Sequence, residues 1–167
     1  MQTNVKLIIY IVGSLLLMES LMMLLPAIVS AIYDEPEYLQ FIYSAFITSI
    51  VGGAMALFAR NHGRHISKQD SFIIVTMVWL FVSLFGVLPF ILTGTFDNFI
   101  DAFFEAMSGF TTTGSTMLRD CAHSLKGILF WRCLTQWIGG LGVIALSIVI
   151  LPAFFHLSMK KLRTFAQ

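Results

Sequence analysis

The stretch Thr93-Gly94-Thr95-Phe96-Asp97-Asn98-Phe99-Ile100-Asp101-Ala102-Phe103-Phe104-Glu105-Ala106-Met107-Ser108-Gly109-Phe110-Thr111-Thr112-Thr113-Gly114-Ser115-Thr116-Met117-Leu118-Arg119-Asp120 decides the fold. Its first half reads as a short helix. Phe99, Phe103 and Met107 recur at helical spacing with Ala102 and Ala106 beside them. Asn98 is the expected N-cap, with Asp101 three positions on. Asp97 and Asp101 bring negative charge to the positive end of that helix. From Phe99 to Ser108 such a helix is about 15 Å long, half a hydrocarbon core. Gly109 is the expected terminator. The run Phe110-Thr111-Thr112-Thr113-Gly114-Ser115-Thr116 that follows is rich in hydroxyls and reads as extended.

The rest of the chain says in which solvent this happens. Of its 167 residues, 57% are hydrophobic and only 11% charged. Sixteen are Phe, and the mean hydropathy is +0.86. A chain this small cannot bury so much apolar surface in itself, so its partner is the lipid bilayer. Four stretches are long enough to cross one: about Leu7 to Ala31, Tyr38 to Ala59, Ser71 to Leu92 and Gly127 to Leu157. A cleavable signal is a poor reading of the first, because its apolar part is too long. A net charge of +1 gives no field for a polyanion, so nucleic acid is excluded as a partner. No P-loop, no Ser/His/Asp set and no paired carboxylates are present, which argues against an enzyme and against an organic cofactor. Cys121 and Cys133 form no disulfide framework, and His62, His65, His123 and His156 have no metal-ligand spacing.

Charge gives direction. The turn Tyr33-Asp34-Glu35-Pro36-Glu37 has acids and no base, whereas Arg60, Arg64 and Lys68 lie in the next connection. Lys160, Lys161 and Arg163 lie in the tail, and Lys6 precedes the first span. Basic residues collect on the cytoplasmic side. Both termini and the 60–70 connection are therefore expected inside, and 93–126 outside. The connection also divides an N-terminal two-helix hairpin, 1–66, from a second unit, 67–167.

Between two full spans, a half-length helix and a hydroxyl-rich strand look re-entrant. Non-helical backbone at membrane depth must be packed in protein or line water. Successive carbonyl oxygens lining water can replace the hydration shell of an alkali cation, and Gly114 permits dihedrals that keep neighbouring carbonyls aligned. The alternative is a surface loop with one amphipathic turn.

The string Asp101 to Thr116 resembles the first pore loop of the Trk/Ktr/HKT superfamily of potassium transporters, nearest the TrkH type. Phe130-Trp131-Arg132-Cys133-Leu134-Thr135-Gln136-Trp137-Ile138-Gly139-Gly140-Leu141-Gly142-Val143-Ile144 resembles the start of the helix after that loop, and the first two spans resemble the family's N-terminal hairpin. The resemblance implies an all-α integral membrane protein of the bacterial inner membrane: a hairpin followed by one helix–pore-loop–helix unit. Family members carry four such units around a pseudo-fourfold pore, so the resemblance implies potassium as the transported ion. By motif, Gly114 is the key filter glycine, the carbonyls of Thr112 and Thr113 are the main K⁺ ligands, and Ser115 is next outward. Thr111 and Thr116 flank them. The resemblance further implies a cytoplasmic nucleotide-binding, TrkA-like regulatory subunit. One unit is present here, so three more are needed, from further copies or from the rest of a longer chain; the second is the expectation. A non-conducting module that only associates with other subunits is the alternative.

Five further readings concern single groups or small sets. Arg132 either is a fixed charge that tunes the outer mouth or anchors the pore loop, or snorkels to the interface. Glu105, one turn before the helix end, is expected to hydrogen-bond nearby backbone. Glu19, inside the first span, is expected as a protonated or hydrogen-bonded packing residue. Gly52, Gly53, Gly139, Gly140 and Gly142 are expected at close helix contacts, and Pro26, Pro89 and Pro152 at kinks.

Overall fold

The computed structural model describes residues 4–61, 68–118, 120 and 124–144. The described residues are all-helical: α1 (Val5–Met22), α2 (Leu24–Ile32), α3 (Tyr38–Phe58), α4 (Lys68–Gly86), α5 (Leu88–Leu92), α6 (Phe99–Phe110) and α7 (Lys126–Ile144). Four stretches have the length and composition to cross a membrane: Val5–Ile32, Tyr38–Phe58, Ser71–Leu92 and Lys126–Ile144. The expected boundary at residue 66, most of the basic 60–68 connection, Pro152, the tail and the fourth span beyond Ile144 lie outside the described residues.

Two of the spans are broken where proline predicts it. Pro26 has no N–H to give Met22 and its ring crowds that carbonyl; α1 ends at Met22 and α2 restarts at Leu24. Pro89 stands in the same relation to Phe85, and the third span breaks between Gly86 and Leu88.

The helices are sided for lipid. Along α3 the buried residues are Phe41, Ser44, Ala45, Thr48 and Gly52, mostly small, while Phe46 and Phe58 are 64% and 78% exposed. Small residues face protein because they let backbones approach; bulky apolar ones face outward because lipid welcomes them. Gly13 of α1 and Gly52 of α3 meet this way: a methyl group on Gly52 would lie 2.9 Å from the Gly13 carbonyl oxygen. Gly53 needs no such absence of side chain, since its neighbour is at ordinary contact distance.

α1 packs along α3 and α4, and α4 in turn carries α6. Leu16, Met23, Phe41, Val87, Phe90, Ala102, Phe110, Ile128 and Trp131 belong to one buried cluster, so the hairpin and the later helices share a core. A second tie is polar. The Glu35 carboxylate accepts from the backbone N–H groups of Lys126 (2.6 Å) and Gly127 (3.1 Å), which are free donors at the start of α7. The acidic turn, read above only for orientation, thus caps a helix 91 residues away.

Candidate functional site: the return segment after α6

Asn98 caps α6 as expected, its side chain accepting from the Ile100 N–H at 3.1 Å. The helix then runs two residues beyond the expected stop. Gly109 does not terminate it: α6 continues to Phe110, about 18 Å in all. Gly109 is needed for packing instead, because any side chain there would strike the Thr135 hydroxyl on α7. The buried residues of α6 are Ala102, Glu105, Ala106, Ser108, Gly109 and Phe110, while Phe99 and Phe103 stack on each other at 6.1 Å and Phe99 is exposed.

α6 ends in a tight reversal. Thr112 N–H donates to Gly109 O (2.9 Å) and Thr113 N–H to Ser108 O (3.0 Å), the paired bonds of a Schellman motif. The reversal needs a residue with positive φ. At the end of α5 the same pair of bonds forms around Gly94, φ +68°. Here the position is held by Thr112, φ +58°, a β-branched residue in a region such residues avoid. Gly114 follows at φ +79°. The segment expected to be extended from Phe110 is therefore helical at Phe110, turned at Thr111 and Thr112, and irregular only from Thr113.

After the reversal the chain climbs back along α6. Ser108 Oγ donates to Ser115 O at 2.6 Å. Thr116 Oγ1 donates to the Glu105 carboxylate (3.0 Å), as does Met117 N–H (2.7 Å). Positions along α7 give the same direction. The Phe110 carbonyl lies against Gly139, where no side chain would fit, about 20 Å along α7 from Lys126. Arg132, about 9 Å from Lys126, reaches Gly114 and Glu105. The segment runs one way as a helix and returns beside it as irregular chain.

Glu105 and Arg132 brace the return. Arg132 Nε lies 2.5 Å from Glu105 Oε1, and its Nη2 donates to Gly114 O at 3.0 Å. Glu105 is 1% exposed. Its carboxylate collects a guanidinium, a hydroxyl and a backbone N–H, so its buried charge is paired and hydrogen-bonded. Arg132 thus contacts both the helix α6 and the segment that follows it. The hydrogen bond expected from Glu105 to nearby backbone is also present, at Met117.

These bonds sort the backbone oxygens. The carbonyls of Gly114 and Ser115 are drawn to Arg132 and Ser108. Among the described residues no donor reaches the carbonyls of Thr112 or Thr113, and both residues are exposed. Thr111 Oγ1 donates back to Met107 O (2.7 Å) and lies 2.9 Å from Thr113 Oγ1. Behind the site, Trp131 Nε1 donates to Gly86 O (3.1 Å), and the Trp131 and Phe110 rings meet edge to face. Glu19, on α1, is a buried packing residue, and among the described residues neither of its carboxyl oxygens has a hydrogen-bond partner.

Comparison with known proteins places this arrangement. The sequence signature described as "TrkH: Cation transport protein" matches residues 38–165. The Trk system potassium uptake protein TrkH of Vibrio parahaemolyticus is 39% identical over 147 residues, 87% of this chain and 30% of that protein. The Trk system potassium uptake protein TrkG of Escherichia coli is 33% identical over 151 residues, 90% of this chain and 31% of that protein. The crystal structure of the potassium transporter TrkH from Vibrio parahaemolyticus superposes with a TM-score of 0.84 at 37% identity, covering 89% of this chain and 32% of that one. The chain spans about a third of the length of these relatives. With the fold and most of the sequence in agreement, this multi-pass membrane chain belongs to the TrkH family of cation transport proteins.

Proposed function

We propose that the chain contributes one of four filter strands to a path for potassium uptake across the bacterial inner membrane. In this reading the carbonyls of Thr112 and Thr113 take the place of water around K⁺, Gly114 sets the turn that presents them, and Ser115 lies next outward. Thr111 and Thr116 serve through their hydroxyls, which hold the strand to α6 rather than to the ion.

The observation that carries the reading is the division of the carbonyls. Those of Gly114 and Ser115 are held by Arg132 and Ser108, while those of Thr112 and Thr113 have no donor among the described residues. Fixing one part of a strand while leaving adjacent oxygens free is how a protein presents a ready-made oxygen shell to a cation. The C-terminal end of α6 adds negative partial charge at the same place. One strand cannot surround an ion, so three further pore-loop units complete the ring. The direction of Lys and Arg supports cytoplasmic termini, which puts the basic connections on the side where a TrkA-like nucleotide-binding subunit would dock.

The test is radioactive rubidium uptake into proteoliposomes holding the whole transporter that carries this chain, parent against Gly114→Asp. Uptake should be lost in the variant, whereas its unfolding midpoint in detergent should fall only by the modest amount expected of a β-carbon at φ +79°. A variant that keeps both the rate and the preference over sodium removes the filter assignment.

A further inference from the structure

A cavity of about 430 Å³ is bounded by α1, α4, the end of α6 and α7. Leu15, Val78, Trp79, Phe110 and Gly142 contribute to its wall, and Glu19 is the one ionisable lining residue among the described residues. The size is that of a pocket for a small organic molecule. Glu19 is 4% exposed, and both its carboxyl oxygens lack a hydrogen-bond partner. Buried polar groups in native structures are nearly always paired, and an ionisable side chain in mid-span is placed at a cost. From Val5, Glu19 lies about 21 Å along the helix, deep in the hydrocarbon zone.

The chemistry of the wall chooses the occupant. A bare metal cation needs several oxygens, and one carboxyl in an apolar wall does not supply them. A lipid tail fills apolar space but gives the carboxyl nothing. A molecule with a compact apolar body and a single ammonium head satisfies both the wall and the acid. We propose that this cavity is a binding site for lipophilic primary amines, with the Glu19 carboxylate pairing the ammonium and the aliphatic and aromatic wall taking the body. The occupant sits against Phe110, the last residue of α6.

The test uses the whole transporter in lipid nanodiscs and equilibrium dialysis of 1-naphthylmethylamine, with empty nanodiscs subtracted and the neutral 1-naphthylmethanol as the matched control. Binding of the amine should saturate. Glu19→Gln, which keeps shape and removes the charge partner, should weaken the amine by about tenfold or more and leave the alcohol unchanged. Gly142→Leu should block both ligands. A methyl group at Gly142 meets Trp79 at 3.6 Å, so the longer side chain is accommodated only by filling the cavity. If Gly142→Leu fails to fold, Val78→Phe fills the space from α4 with the same expected result. Absence of saturable binding, equal amine affinity in Glu19→Gln, or unchanged binding in the filled variant each overturns the proposal. The readout is binding alone, so it stands or falls separately from rubidium uptake.

Discussion

Cutting the Glu105–Arg132 brace should cost more than either residue's place on the helix suggests. In Arg132→Met the Glu105 carboxylate stays buried with Thr116 and Met117 as its remaining donors. Breaking a buried pair from one side costs roughly 3–5 kcal/mol. The two surviving donors, and an Arg132 side chain that is 18% exposed, bring the expectation to the lower end, about 3 kcal/mol. Glu105→Leu leaves the guanidinium with Gly114 O alone and orphans the Met117 N–H, a further loss of about 1–3 kcal/mol, for a total near 4 kcal/mol. The double variant carries neither stranded charge. It should fall short of the summed single losses by about 2 kcal/mol, within the usual range for residues in contact. Denaturant unfolding of the purified transporter in one detergent measures the cycle. Rubidium-over-sodium uptake in the same variants reports whether Gly114 stays in place. Additivity within about 0.5 kcal/mol would refute the brace as a coupled unit.

Three other perturbations separate the parts of the site. Gly114→Ala puts a β-carbon on a residue at φ +79°, in open space; the cost should be about 1–2 kcal/mol of backbone strain, read as a lower unfolding midpoint with a reduced preference for rubidium. Gly139→Ala drives a methyl group into the Phe110 carbonyl, and a loss of about 1–3 kcal/mol is expected from overpacking, with faster hydrogen exchange at the end of α6. Glu35→Ala removes the cap on Lys126 and Gly127; about 1 kcal/mol should be lost, and hydrogen exchange should rise in the first turn of α7 while α6 is unaffected.

Local physics made part of this legible from residues alone. Length and hydropathy gave the spans, Asn98 gave the start of α6, and Pro26 and Pro89 gave the breaks. Glu105 was recognisable as a backbone partner because a carboxylate near a helix end has few other choices. The Phe spacing shows a helix but not its packed side: Phe99 turns outward, and small residues such as Ala102, Ala106 and Gly109 are buried. Gly109 was misread because a glycine required for contact and one required for a turn look alike in a sequence. Left-handed Thr112 carries no signal at all, since its residue type argues against it. Long-range partners such as Glu35 with Lys126, or Arg132 with Gly114, become visible only when the helices are side by side.

The reach of Glu35 across the fold has a consequence for how the molecule is assembled. Synthesis runs from the N-terminus, so the hairpin is threaded into the bilayer, with its acidic turn in place, before α7 exists. When α7 arrives, its first amides find a carboxylate already in place. That docking fixes the height of α7, and through Arg132 and Gly139 the height of everything built against it. The hairpin is then a gauge, laid down early, that sets the depth to which the later segment is hung.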